Sequence, residues 1–246
     1  MKRIGICLPS YNESENIIKL INQIIEKIEN VIICVVDDNS PDKTFDLLKK
    51  NFNKNQNVKL IKRKSKDGRG GAVWQGLNFL NNQKFQIDIF IEMDCDFSHS
   101  LEDLSKGIKL FQKLNCDILL GSRYPNGTIV NWSISRRIFS FFANLLIRFL
   151  INKNIFDYTN GFRFYNKKAV KILLKRKPIN KGYIYLSESI AYFLAYNLNI
   201  SSFPIYFKNR LRGKSNTNLI EIYNSIIGIF KISYLYRKWK KIKKLQ

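Results

Sequence analysis

Three short apolar runs at residues 4–8, 31–36 and 58–61 are each followed by a polar turn and a stretch of helical periodicity, and this alternation leaves few folds open. Strand, loop and helix repeated in that order build a mostly parallel sheet flanked by crossover helices, so an α/β fold is expected. The first helix is expected to run to about residue 29 with Ser14 as its N-cap, and others over residues 44–50 and through about residue 80. A fourth run, Ile87-Asp88-Ile89-Phe90-Ile91-Glu92-Met93, is closed by Asp94-Cys95-Asp96-Phe97-Ser98-His99. Ligands of open α/β sheets bind outside the carboxyl ends of the strands, so two carboxylates one residue apart at such an end are placed for chemistry. Hard oxygen ligands suit Mg²⁺ or Mn²⁺ bridged to a substrate's phosphates. The other reading is a solvated turn whose carboxylates cap the next helix.

At 246 residues the chain suits one α/β domain with a helical extension. A formal charge of +23 points to a polyanionic partner, which could be nucleic acid, anionic lipid or a phosphorylated substrate, although a Lys- and Asn-rich composition contributes to it. Cys7, Cys34, Cys95 and Cys116 are spread singly without a Cys-x-x-Cys pair, as reduced core residues are, and not as a disulfide framework or zinc site. A single histidine, His99, excludes a histidine-rich metal site. No signal peptide is expected, because the first apolar run ends at Pro9 without a cleavage-type segment.

Along the rest of the chain, Asp37 and Asp38 end the second strand, where carboxylates accept hydrogen bonds from a ribose or base or else cap a turn. The basic, glycine-rich stretch Lys66-Asp67-Gly68-Arg69-Gly70-Gly71 opens a helix and could offer its backbone N–H groups to a diphosphate, or be an ordinary turn. Asp117 to Leu120 reads as a strand delivering Arg123 to the same sheet edge. Residues 138–151 form an apolar helix behind Arg136 and Arg137, suited to a membrane interface or to a core. Residues 169–174 and 186–196 read as helices, the second carrying Glu188, and residues 200–207 as a late strand. Residues 210–216 are expected to form a basic loop. A last apolar helix, 219–236, precedes six Lys or Arg residues between 237 and 244 that flank Trp239, the pattern of a surface anchor attracted to anionic lipid.

Taken together, these motifs resemble the dolichyl-phosphate and polyprenyl-phosphate mannosyltransferases of the inverting family-2 glycosyltransferases. The residues that carry the resemblance are Pro9-Ser10-Tyr11-Asn12-Glu13, Asp37-Asp38-Asn39-Ser40-Pro41-Asp42-Lys43-Thr44, Asp94-Cys95-Asp96-Phe97-Ser98-His99, Gly121-Ser122-Arg123-Tyr124 and Asn160-Gly161-Phe162-Arg163. The resemblance implies a Rossmann-like nucleotide-sugar-binding fold of the GT-A type, with residues 1–216 catalytic and 217–246 an amphipathic, polybasic membrane-surface tail. It implies that Pro9, Tyr11, Glu13, Val36 and Asp38 hold the base and ribose, with Cys95 beside them. Asp94 and Asp96 would hold the metal and diphosphate, with Ser98 at the third metal position. Arg123, Arg137 and Arg210 would hold donor or acceptor phosphates, with Lys214 assisting although Asn216 stands where relatives carry lysine. Arg69 departs from the family pattern, which has a small or apolar residue there. Two further transmembrane helices found in many relatives are not expected, which fits a soluble branch or one that relies on a small membrane-anchoring partner subunit.

The implied activity is inverting, Mg²⁺- or Mn²⁺-dependent transfer of a hexose, mannose from GDP-mannose being favoured, to a dolichyl or polyprenyl phosphate at the cytoplasmic face of a membrane. A glucosyl or other hexosyl transfer from a UDP-sugar is the alternative. A polyprenyl monophosphate is largely dianionic at neutral pH, so no dedicated base is required and Glu188 reads as a positioning or structural carboxylate. A nucleic-acid-binding protein would have no use for acidic residues gathered at strand ends, and no nucleic-acid partner is expected.

Overall fold

The computed structural model describes residues 2–84, 86–180, 182–209 and 219–244, apart from the side chains of residues 219–225. Its main sheet has seven strands in the order β3-β2-β1-β4-β7-β5-β8. These strands are β1 (Ile4–Ser10), β2 (Val31–Asp37), β3 (Val58–Lys62), β4 (Ile89–Glu92), β5 (Ile118–Ser122), β7 (Arg163–Tyr165) and β8 (Ile200–Pro204). Every pairing is parallel except those of β7, which runs antiparallel to both β4 and β5. β1, β2, β4 and β5 are buried along nearly their whole length, as strands covered on both faces must be. The order reverses direction between β1 and β4, and this switch point opens a crevice at their carboxyl ends.

The covering helices are α1 (Ile17–Lys27), α2 (Thr44–Phe52), α3 (Arg69–Asn81), α4 (Leu101–Lys113), α5 (Ile134–Leu150), α6 (Lys167–Leu174), α7 (Tyr185–Ala195) and α8 (Leu219–Lys244). One core lies between the sheet and α1, α2 and α4, and a second between the sheet and α3, α6 and α7.

Several boundaries differ from those the sequence suggests. Ser14 does not cap α1; its backbone N–H donates to Asp42 Oδ2 at 3.1 Å, and the helix starts at Ile17, after Asn16, without a side-chain cap. Asp42 also accepts the Thr44 N–H at 3.0 Å, so one carboxylate ties together the loops after β1 and β2. The expected late strand is two strands, because the chain leaves the main sheet at Ile205 and pairs β9 (Tyr206–Lys208) with β6 (Thr128–Val130), a strand not anticipated. Helix α5 starts a turn earlier than its apolar run, capped by Ser133, whose Oγ accepts the Arg136 N–H at 3.3 Å. α8 continues through the basic residues to Lys244, and packs Ile229, Ile232 and Trp239 out of solvent against the body. No helix among the described residues is long and apolar enough to cross a membrane.

α5 is amphipathic in an inverted sense. Ser140, Asn144 and Ile147 face inward, while Ile138, Phe141, Phe142, Leu145 and Phe149 are exposed, Phe149 at 88%. Asn144 earns its place inside: its amide donates to Ser140 O and to Thr159 Oγ1, and its oxygen accepts the Tyr158 N–H at 2.7 Å. On α8, Ile226, Ile227, Phe230 and Tyr234 are exposed as well.

Candidate active site

Two cavities meet at the switch point. The smaller, about 180 Å³, is lined by Pro9, Tyr11 and Glu13 after β1, Asp38 after β2, and Asp94, Cys95 and Asp96 after β4. The larger, about 410 Å³, shares Asp94, Asp96 and Arg69 with it and extends past Ser98, Arg123 and Asn160 to Phe139 and Ala143 of α5 and Ile229 of α8. Residues distant in sequence thus converge because parallel strands deliver all their carboxyl-terminal loops to one edge.

Asp94 and Asp96 stand on a tight turn in which Phe97 adopts a left-handed backbone, φ 60°, an uncommon conformation for a bulky residue and one retained at sites that need it. The turn brings the Ser98 N–H to Asp96 Oδ1 at 3.1 Å. Ser98 Oγ is buried and makes no hydrogen bond among the described residues, although buried hydroxyls ordinarily find a partner. Two carboxylates and an unpartnered hydroxyl are a hard-oxygen set that fits Mg²⁺ or Mn²⁺. Among the described residues no cluster of three or more His, Cys, Asp or Glu side chains is arranged for a metal, so further ligands would come from substrate phosphates and water. His99 is buried beside Phe162 and braces this turn. Its Nδ1 accepts the Asp94 N–H at 3.3 Å, which leaves the proton on Nε2, 2.9 Å from Asn160 Oδ1.

Arg69 Nη1 is ion-paired with Asp94, while Nη2 bonds Glu92 Oε1 at 2.8 Å. Burial works against this cation, but the charges of Asp94 and Glu92 more than compensate and raise its pKa above the ordinary guanidinium range. Two amides of the glycine-rich stretch are taken up by a protein carboxylate. The N–H groups of Asp67 and Gly68 donate to the Asp38 carboxylate, Gly68 at 2.7 Å with φ 83°, and Arg63 Nη1 joins the same carboxylate at 2.6 Å. Asp38 therefore lines the cavity while holding the loop that closes it.

Arg123 is buried and bidentate to Asp157, as the wall of the larger cavity requires of a charge in that position. Beside it on the same wall is Arg136, stacked 4.0 Å from the Trp132 ring and bonded to Asn209 Oδ1 at 3.2 Å. Arg137 is exposed and donates to Ile129 O at 2.7 Å, away from the cavity. With α5 beginning at Ile134, positions 136, 140 and 143 share the inward face and 137 does not. Val36 is likewise not at the cavity surface: it is fully buried in the core between β2 and α3, because its side chain follows the strand alternation inward. Arg210 and Lys214 lie outside the described residues.

Glu188 is fully engaged. It pairs with Arg176, accepts the N–H groups of Ile179 and Asn180 at 3.0 and 2.8 Å, and accepts Asn180 Nδ2 at 2.6 Å. Those contacts hold the segment leading to Gly182 and Tyr183, which line both cavities. Asp157, Arg136 and Glu92 are the site residues that sequence reasoning missed. Asp157 lies 34 positions from its partner with no local signal, and Arg136 needed the helix phase.

A mostly parallel sheet whose switch point opens into cavities, with paired carboxylates after the central strand, defines the GT-A class of glycosyltransferases. Residues 5–174 match the family model described as glycosyl transferase family 2, and the chain belongs to that family and is a glycosyltransferase. It is 29% identical over 214 residues to an undecaprenyl-phosphate mannosyltransferase of Micrococcus luteus, covering 87% of this chain and 86% of that one. It is 31% identical over 216 residues to a polyprenol monophosphomannose synthase of Mycolicibacterium smegmatis, covering 87% and 80%. Among solved structures, glucosyl-3-phosphoglycerate synthase of Mycobacterium tuberculosis, in complex with Mn²⁺, UDP and glucosyl-3-phosphoglycerate, shares the fold with a TM-score of 0.68 at 15% identity, covering 94% of this chain and 80% of that one.

Proposed function

We propose that this protein transfers mannose from GDP-mannose to a polyprenyl phosphate at the cytoplasmic surface of a membrane, with inversion and with Mg²⁺ or Mn²⁺. The observation that carries this reading is the inverted helix α5. It turns Ser140 and Ala143 toward the cavity that ends at Asp94 and Asp96, and exposes phenylalanines on its other side. A helix with that pattern lies comfortably in a bilayer interface, where its apolar side meets acyl chains. A lipid whose phosphate cannot leave the head-group layer would then enter the cavity beside α5. The names of the two mannosyl-transferring relatives agree with this acceptor and sugar.

In this reading the smaller cavity takes the nucleoside, with Pro9, Tyr11, Glu13 and Asp38 around base and ribose. The larger cavity takes the acceptor phosphate. Asp94, Asp96 and Ser98 would hold a divalent cation, which would supply charge neutralisation for the departing nucleoside diphosphate. Arg123 and Arg136 fix the acceptor oxygen against the anomeric carbon, and the gain comes from alignment and charge stabilisation without a protein base. The acceptor dianion, whose second pKa is near 6, is already the nucleophile. Residues 217–246 serve as the surface tail, the basic residues at 237–244 adding attraction to anionic lipid.

The test is a panel of GDP-mannose, UDP-glucose and other nucleotide sugars incubated with purified protein and a short polyprenyl phosphate. Mannosyl-phosphoryl lipid formed from GDP-mannose, with β-configured product from α-configured donor, is expected. Transfer from a UDP-sugar alone would move the donor assignment, and transfer to water-soluble acceptors alone would remove the lipid.

A further inference from the structure

Arg69 occupies the first turn of α3, on the wall common to both cavities. Its place is built. Glu92 is fully buried, with one oxygen on Arg69 and the other on the Tyr165 hydroxyl at 2.9 Å. Arg69 Nη2 also reaches Gly161 O at 3.2 Å, and any side chain at position 161 would strike the guanidinium. A buried Glu92 needs a cation beside it. That need is met by Nη2 alone, yet Nη1 of the same group is committed to Asp94.

We propose that Arg69 is a resident counter-ion that holds Asp94 in the free protein and passes to the diphosphate when cation and nucleotide enter together. Two positive centres on one carboxylate repel each other strongly where water is scarce. A divalent cation approaching Asp94 by itself therefore has to displace or share with Arg69. A nucleoside diphosphate arriving with the cation supplies oxygens that match the guanidinium fork, so Nη1 exchanges one anion for another while Nη2 stays anchored on Glu92. Cation and nucleotide then bind with positive coupling, and each binds poorly without the other. The inference rests on the reading of Asp94 and Asp96 as the cation's ligands.

Mn²⁺ binding followed by the loss of the free-ion EPR signal reads this directly, without turnover. In the double variant Arg69→Met/Glu92→Gln the net charge is unchanged and no buried charge is stranded. Its affinity for Mn²⁺ alone should rise by at least about fivefold, the low end of ordinary site–site coupling. Its affinity for GDP in EDTA, measured by calorimetry, should fall by a comparable factor. Arg69→Lys keeps a cation on Glu92 but lacks the fork, and should shift both quantities in the same directions by less. If the double variant does not fold, the lysine variant decides. Unchanged Mn²⁺ affinity in folded variants, with Mn²⁺ still bound in the presence of GDP, overturns the role of Arg69 and leaves the metal reading intact. Failure of the wild-type protein to bind Mn²⁺ even with GDP overturns both.

Discussion

The Arg123 guanidinium lies against the Asp157 carboxylate through two parallel bonds, Nε to Oδ2 and Nη2 to Oδ1, both 2.8 Å, and the Arg123 backbone N–H adds a third at 2.9 Å. Both side chains are buried, and Thr159 Oγ1 accepts from the same Nη2 at 2.6 Å. Nη1 makes no hydrogen bond among the described residues, so the clamp fixes the plane of the group and leaves one edge for a ligand in the cavity. A phosphate-binding arginine is held this way when its position matters more than its mobility.

Arg123→Lys is expected to lower turnover by more than tenfold, because one ammonium cannot satisfy Asp157 and still present a second edge to phosphate. Steady-state kinetics with the short acceptor would show it; wild-type kinetics would remove Arg123 from the site.

Asp157→Asn should cost about 3 kcal/mol or more of stability by stranding a buried guanidinium. Burial pushes the Asp157 carboxyl up, but Arg123 and the bonded N–H groups outweigh it and hold the pKa below its ordinary value. A depressed carboxyl stabilises the fold above its unfolded pKa, about 3.9, and loses that contribution as pH falls through the folded value. The gap in melting temperature between wild type and Asp157→Asn should therefore be full at pH 7 and shrink below about pH 4. A gap independent of pH would show that the ion pair is not its source.

Asp96→Ala should abolish turnover while leaving the melting temperature nearly unchanged, since this carboxylate serves the turn and the cavity and not the core. EDTA should silence the wild-type enzyme, and Mn²⁺ or Mg²⁺ should restore it. Full activity in EDTA would dismiss the metal.

Arg136→Ala should weaken transfer to lipid phosphate, whereas Arg137→Ala should leave it close to wild type. The two differ in helix phase, one stacked on Trp132 at the cavity wall and the other bonded to Ile129 O outside it. The reverse ranking would place the acceptor phosphate elsewhere.

Phe142→Glu and Phe149→Glu, at exposed positions of α5, should release the protein from anionic vesicles with little change in melting temperature. Binding should also weaken with salt, since six basic residues at 237–244 contribute roughly 1 kcal/mol each only near an unscreened surface. Removal of residues 219–246 is a harsher change: it uncovers the body beneath Ile229, Ile232 and Trp239 and should lower the melting temperature. Vesicle binding that survives both glutamate substitutions would exclude α5 as the docking face.

Short-range information was enough for strands β1 to β5 and for the Asp94-to-Ser98 turn, because apolar periodicity and residues adjacent in sequence act within one element. It was not enough for β6 or for the split of the late strand into β8 and β9. The grouping of Pro9, Tyr11, Glu13 and Asp38 came from the family resemblance, and the fold brings them to one crevice because parallel strands deliver their ends to a single edge. What only the tertiary structure decided is how each charged group is spent. Asp38 closes a loop, Glu188 braces another, and Arg69 and Asp157 find partners 25 and 34 positions away. Val36 and Arg137 turn from the cavity for the same reason that Arg136 turns toward it: the sheet's pleat and the helix's first residue set side-chain direction. That direction comes from packing across elements, and a pattern read along the chain does not contain it.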